Sequence, residues 1–236
     1  MSELPLSKFF PPASAATADG LVYFGGRLTP DWLLDAYTQG IFPWPFGHGD
    51  ALLAWWSPDP RAVIEPGALH IPRRLQRTLR GGKFTVTCDA NFRGVISACA
   101  TAQDRSGNTW LGLDMIEAYV RMFELGFAHS VEVWQERQLV GGTYGLAIAG
   151  LFSAESMFYT TRDASKVALV RLVQHLKARG YGLLDIQQLT PHTARFGAHT
   201  ISRREYLRRL AGALRMNVTF GDRLKVADDP RPLAGG

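Results

Sequence analysis

Residues 154–186 read AESMFYTTRDASKVALVRLVQHLKARGYGLLDI and run at once into QQLTPHTARFGA, residues 187–198. The pattern predicts a strand, a helix and a second strand, a β-α-β unit. The helix has a broad apolar face of Val167, Leu169, Val170, Leu172, Val173 and Leu176, with Asp163 or Ser165 as candidate cap and Lys177 and Arg179 before Gly180 at its end. Polar groups interrupt both strands. Glu155 and Ser156 sit between Phe152 and Met157-Phe158, and Asp185 and Gln187 sit among Leu183, Leu184, Ile186 and Leu189. A carboxylate inside an apolar run costs several kcal/mol to bury unless it is hydrogen-bonded or paired. One reading points Asp185 and Gln187 to solvent on an edge strand. The other makes them site groups, because the second strand leads into Thr190-Pro191-His192-Thr193, a polar turn at a strand C-terminus where α/β sheets bind ligands. Two interrupted strands flanking one helix favour the site.

Working outward, Ser130 to Gln135, Leu139 to Ile148 and Leu151 to Met157 read as three antiparallel strands with tight turns at Glu136-Arg137 and Ala149-Gly150. Downstream, Ser202-Arg203-Arg204-Glu205 reads as a capping box that starts a helix with Tyr206, Leu207, Leu210 and Leu214. Upstream, Thr29-Pro30-Asp31 opens a helix closed by Gly40, and Pro72 opens another ended by Gly81-Gly82. Asp89 is the expected cap of a helix through Val95, Ile96 and Ala98, and Asp114 opens one ended by Gly126. Strands, then helix, then strand predict an α+β core.

The 236 residues, 46% hydrophobic and 20% charged, can bury a full core. The longest apolar run, Tyr144 to Phe152, is too short to span a bilayer, and Met1 to Leu6, with Glu3 and Pro5, lacks a secretion-signal pattern. A cytoplasmic protein without a membrane partner is expected. Cys88 and Cys99 match no metal spacing and the histidines form no H-E-x-x-H, so neither metal nor cofactor is expected. A net charge of +5 suggests an anionic partner. Arg73, Arg77 and Arg80 fall at i, i+4 and i+7 with Lys83 just beyond, and no acid lies between Glu65 and Asp89 to neutralise them. Such a stripe is either a solvated basic face or the footprint of a phosphate backbone, and its unpaired like charges favour the second. Ile41 to Phe46 and Trp55 to Arg61 mix aromatics with prolines, which suits both a proline-braced interdomain core and a wall on which a ligand or nucleobase stacks.

Together IFPW, WWSPDPRAV, the G-x-T-W run at Gly107 to Trp110, HSVEVW, LVGGTYG, the ESMF run at Glu155 to Phe158, the DASK run at Asp163 to Lys166 and LLDIQQL resemble the leucyl/phenylalanyl-tRNA–protein transferases. The resemblance spans Leu21 to Leu214. It implies an α+β fold in which a small N-terminal domain, residues 1–60, docks on an acetyltransferase-like (GNAT) mixed-sheet domain, residues 61–236. It also implies a monomer that moves Leu, Phe or Met from aminoacyl-tRNA to the N-terminal Arg or Lys of acceptor proteins, marking them for degradation. The family's catalytic Asp and Gln fall on Asp185 and Gln187, and its active-site Glu on Glu155. Its aminoacyl and adenosine pocket falls on Trp44, Trp110, Tyr119 and Phe152, with Ser156 and Met157 alongside, and its basic helix on Arg73, Arg77 and Arg80, followed by Lys83. Gly81 replaces a basic residue that can follow that helix, and Thr143 stands where a Met is expected.

The residues read by themselves agree. An aminoacyl ester is already activated, so no enzyme nucleophile is needed, and no Ser-His-Asp or Cys-His set is present. An α-amine of pKa about 7.7–8.0 is partly protonated at neutral pH, so a carboxylate can bind it and help to remove a proton. Asp185, oriented through Gln187, is the expected group, either as base or as electrostatic anchor. Two rival readings are weaker. An acyl-CoA N-acetyltransferase needs a Q/R-x-x-G-x-G/A loop, yet Met157 to Asp163 contains no glycine. A non-enzymatic RNA-binding module gives no reason for Glu155 and Asp185 beside an apolar pocket.

Overall fold

The computed structural model describes residues 4–46, 52–102 and 111–226. Trp110, with the motif that ends on it, lies outside these residues. The first sheet has three antiparallel strands, β1 (Leu21–Phe24), β2 (Phe42–Pro43) and β3 (Ala54–Trp56), in the order β1-β3-β2. Helix α1 (Pro30–Thr38) starts at the expected proline and lies beside them. The second sheet is mixed and seven-stranded. Its strands are β4 (Arg61–Ile64), β5 (Thr85–Cys88), β6 (Ala128–Gln135), β7 (Gln138–Ile148), β8 (Leu151–Tyr159), β9 (Leu183–Gln187) and β10 (His199–Ile201), in the order β10-β4-β9-β8-β7-β6-β5. This is the α+β, mixed-sheet fold expected from the sequence. No helix among the described residues is long and apolar enough to cross a membrane.

Among the described strands only β8 and β9 run parallel, joined by α5 (Ala164–Arg179), so the expected β-α-β unit is present. β9 lies between β4 and β8, which removes the solvent-edge reading of Asp185 and Gln187. One face of the sheet packs on α5, whose Val167, Val170 and Val173 meet Phe152 and Leu184. Helices α3 (Phe92–Thr101) and α4 (Leu113–Glu124) share a single apolar cluster with Leu33, Tyr37 and Trp55 from the first sixty residues. α7 (Arg203–Ala213) packs Tyr206 and Leu210 on Val63 and Leu183. Short α6 (Pro191–Ala194) follows β9.

Two bulges interrupt the sheet beside each other. Tyr144 pairs with Ser156 and Gly145 with Ala154, which leaves Glu155 as the extra residue. Likewise Ala62 pairs with Gln187 and Val63 with Asp185, which leaves Ile186. The first bulge requires a glycine opposite it, because a Cβ on Gly145 would lie 2.1 Å from the carbonyl oxygen of Ser153.

Several caps differ from expectation. Asp163 occupies the N-cap of α5 at φ 71° without capping it, its carboxylate taken instead by Lys166 Nζ at 2.5 Å, and Ser165 is the second helical residue. α3 is capped by Asn91, which accepts from Gly94 N at 3.0 Å. Asp89 instead accepts from Ser130 N and His129 Nδ1 at 2.8 and 2.7 Å. Ser202 caps α7 as expected, whereas Glu205 pairs with Arg208 and Arg209. The reciprocal box forms at Thr190 and Thr193, at the start of α6.

Candidate active site

Parallel pairing of β8 and β9 ends at Ser153 and Asp185, and beyond that point a cavity of about 550 Å³ opens between the two strands. Ala154 to Met157 form one wall, and Ile186, Gln187 and Gln188 form another. Ser165 and Leu169 of α5, His192 of α6, and Phe42 and Trp44 from beside the small sheet complete it. The wall is mainly apolar. Burial holds the His192 imidazole below its ordinary pKa and hence neutral at pH 7.

Glu155 and Gln187 bring polar chemistry to this cavity. Glu155, the bulge residue, shares a face with Ser153, two residues before it, and lines the cavity. Its Oε1 accepts from Ser153 Oγ and Gln187 Nε2, both at 3.1 Å, and its Oε2 accepts from the Tyr119 hydroxyl at 3.1 Å. Tyr119 is joined in turn to Tyr37 at 2.5 Å between hydroxyl oxygens. Burial is the main cause that pushes the Glu155 carboxyl up to about 7; the charge of Asp185 adds to it, and the hydroxyl donors oppose it. Gln187 sits at φ 55°, a backbone state seldom adopted by a residue with a side chain, and strain of this kind concentrates at functional sites. Its side-chain nitrogen is held by Ser153 Oγ at 2.9 Å and by Glu155, while its side-chain oxygen has no partner among the described residues.

Asp185 lies behind this pair, wholly buried, and does not line the cavity. Its Oδ1 accepts from Arg61 Nε at 2.8 Å and from the backbone N–H of Gln187 at 2.9 Å. Its Oδ2 accepts from Arg61 Nη2 at 2.6 Å and from the Tyr206 hydroxyl at 2.9 Å, with Ser153 Oγ at 3.4 Å. A carboxylate so supplied with donors has no lone pair aimed at a substrate amine. The expectation that Asp185 itself holds the amine is therefore corrected: it anchors the turn that carries Gln187.

Of the other expected site residues, Trp44, Ser156 and Met157 do line the cavity. Tyr119 is fully buried and supports Glu155 from behind rather than forming a wall. Phe152 does not line the cavity and packs within the α5 cluster, its ring centre 5.7 Å from that of Phe220. Arg73, Arg77 and Arg80 are exposed on α2 (Arg73–Arg80), Lys83 follows, and the helix is fixed by Leu75 against the α5 cluster. At the N-terminal end of α5 the hydrogen bond from Lys166 is the main cause that lowers the Asp163 carboxyl, and Arg74 of α2 adds to it. No cluster of side chains suited to a metal ion occurs among the described residues.

Sequence reasoning missed Arg61, Tyr206 and Tyr37. For Arg61 the signal was present: a charge within the run Arg61-Ala62-Val63-Ile64 is the same anomaly that marked Asp185, and the two pair with each other.

Residues 63–211 match the family described as leucyl/phenylalanyl-tRNA protein transferase, and residues 26–59 match the N-terminal domain of that family. A leucyl/phenylalanyl-tRNA–protein transferase of Azoarcus sp. (strain BH72) is 49% identical over 199 residues, 84% of each chain. One of Oleidesulfovibrio alaskensis is 46% identical over 230 residues, 95% of this chain and 92% of the other. Among solved structures, the C-terminal domain of a putative lysylphosphatidylglycerol synthetase from Agrobacterium fabrum matches at 12% identity and a TM-score of 0.40, over 79% of this chain and 57% of that one. A GCN5-related N-acetyltransferase from Kribbella flavida matches at 14% and 0.38, over 73% and 61%. Both family matches and the sequence relatives converge on one assignment: the chain belongs to the leucyl/phenylalanyl-tRNA–protein transferases.

Proposed function

We propose that the cavity receives the aminoacyl end of a charged tRNA and that Glu155 and Gln187 receive the α-amine of the acceptor protein. The chain is an aminoacyltransferase that moves an aminoacyl group from tRNA to protein. Leu, Phe or Met is the donor residue, its side chain seated against Leu169 and Ile186. An N-terminal Arg or Lys is the acceptor, and its modification marks the protein for degradation. The amine nitrogen forms the new bond to the ester carbonyl carbon. The amine enters neutral and passes one proton to the Glu155 carboxylate, and as the bond from that carbon to the ribose oxygen breaks, the protonated Glu155 returns this proton to the departing oxygen. The free side-chain oxygen of Gln187 accepts from the amine and aims it, and Asp185 acts through Gln187. Positioning of this kind supplies several kcal/mol of the barrier. Arg73, Arg77, Arg80 and Lys83 contact tRNA phosphates. Residues 1–60 contribute Trp44 and Phe42 to the site, and residues 61–236 contribute the catalytic strands.

The observation that carries this reading is one carboxylate on the wall of a mainly apolar cavity, hydrogen-bonded to the Gln187 amide and raised by burial to a pKa of about 7. Incubation with labelled leucyl-tRNA and a peptide beginning with Arg should give a labelled peptide, whereas the same peptide beginning with Ala should not. Equal labelling of both would remove the acceptor assignment. A valyl donor should react more slowly than leucyl but measurably, since apolar pockets discriminate by only about 1–3 kcal/mol per methylene.

A further inference from the structure

We infer that Arg61 is a positioning residue for the transfer reaction, acting on Gln187 through Asp185. Its guanidinium is 1% exposed and contacts three parts of the fold at once. Two of its nitrogens hold both oxygens of Asp185, at 2.8 and 2.6 Å, and Nη1 donates to the carbonyl of Gly40 at 3.2 Å. The flat group lies between two rings, with Cζ 4.7 Å from the centre of Phe42 and 4.5 Å from that of Tyr206. Phe42 lines the cavity, and Gln187 is the residue after next from Asp185 along β9. A single planar cation therefore spaces the aromatic wall from the strand that bears the amide.

The planarity matters as much as the charge. Asp185 Oδ1 is shared between Arg61 Nε and the backbone N–H of Gln187, and this shared oxygen secures the Gln187 turn at φ 55°. A two-point hold fixes the plane of the carboxylate, and so the direction in which Oδ1 meets that N–H. A lysine ammonium is a point charge that holds one oxygen at a time and leaves the carboxylate free to rotate. Tyr206 steadies the other oxygen.

This inference rests on the proposed transfer reaction, and a coupling experiment tests it separately. Single-turnover transfer from pre-charged leucyl-tRNA to an Arg-peptide is measured for the parent, Arg61→Lys, Gln187→Ala and the double variant, with tRNA binding and thermal melting measured alongside. Arg61→Lys should lower the rate at least tenfold while tRNA affinity stays within twofold. In the double variant the rate should fall no more than twofold below that of Gln187→Ala, because the arginine has nothing left to position. Losses that multiply, or an unchanged rate in Arg61→Lys, would overturn the assignment. If Arg61→Lys does not fold, Tyr206→Phe takes its place in the same cycle, with a smaller loss that must again vanish on the Gln187→Ala background. A parent protein that transfers nothing fails the reaction itself, whereas an active parent with multiplying losses fails the positioning role alone.

Discussion

At the scale of single residues, Glu155 is the group whose ionisation should be visible from outside. Its folded pKa of about 7 exceeds its ordinary 4.5, so it contributes stability below the lower value that is lost as pH rises through the higher one. Relative to Glu155→Gln, the parent should therefore melt progressively lower as pH increases between 4.5 and 7, and parallel melting curves across that window would contradict the buried carboxyl. Activity should run the other way, rising as Glu155 ionises. In Glu155→Gln the remaining activity should be reduced, with its acid limb set by the acceptor amine alone at about 7.7–8.0. The sequence revealed this residue, together with Asp185 and Gln187, because a charge in an apolar run is costly wherever it lies. It could not reveal their division of labour. Whether a buried carboxylate meets a substrate or a guanidinium depends on which distant residue arrives beside it, and Arg61 stands 124 positions from Asp185.

At the scale of elements, the bulge in β8 is what delivers Glu155. Gly145→Ala places a methyl group against the Ser153 carbonyl, a clash of the kind that costs about 1–3 kcal/mol or more. Transfer should fall with the melting temperature, since the displaced strand moves Glu155 away from Gln187 and Tyr119. Gly67→Ala is the control, because nothing among the described residues lies within 4 Å of that added carbon, and it should melt like the parent. Bulges also explain the misplacement of Phe152. Strict alternation puts Phe152 and Phe158 on one face, whereas the extra residue sends Phe152 to the α5 side and Phe158 to the α3 and α4 side. α5 and the β6 to β8 strands were legible as elements, but the bulge inside β8 was not. The N-caps of α5 and α3 were not legible either, since Asp163 and Asp89 had closer cations or N–H groups to serve, whereas Ser202 capped α7 as expected. For α2 the exposed arginines make a measurable claim: replacing Arg73, Arg77 and Arg80 together by Ala should reduce the log–log salt slope of tRNA binding by about 0.7–0.9 per lost phosphate contact. An unchanged slope would remove this helix from the RNA interface.

At the scale of the whole molecule, the small sheet and the large one are fastened by groups that also serve the site. Tyr37 reaches Glu155 through Tyr119, Arg61 ties Gly40 to Asp185, and Leu33, Tyr37 and Trp55 share their apolar cluster with α3 and α4. This long-range closure was the least legible part of the sequence, since no local period records it. It also has a consequence for biogenesis. A ribosome releases the first sixty residues well before α4, yet the apolar cluster that Leu33, Tyr37 and Trp55 share is completed by α3 and α4, made later, and Tyr119, the hydroxyl partner of Tyr37, lies on α4. Nascent chains arrested with their exposed end at Gly112 should be cut readily by protease near Trp55, and chains extended to Gly221 should resist. Equal resistance at both lengths would mean that the leading segment folds unaided. The seam beside the cavity thus sets the order of assembly: the part of the enzyme synthesised first is the part obliged to wait.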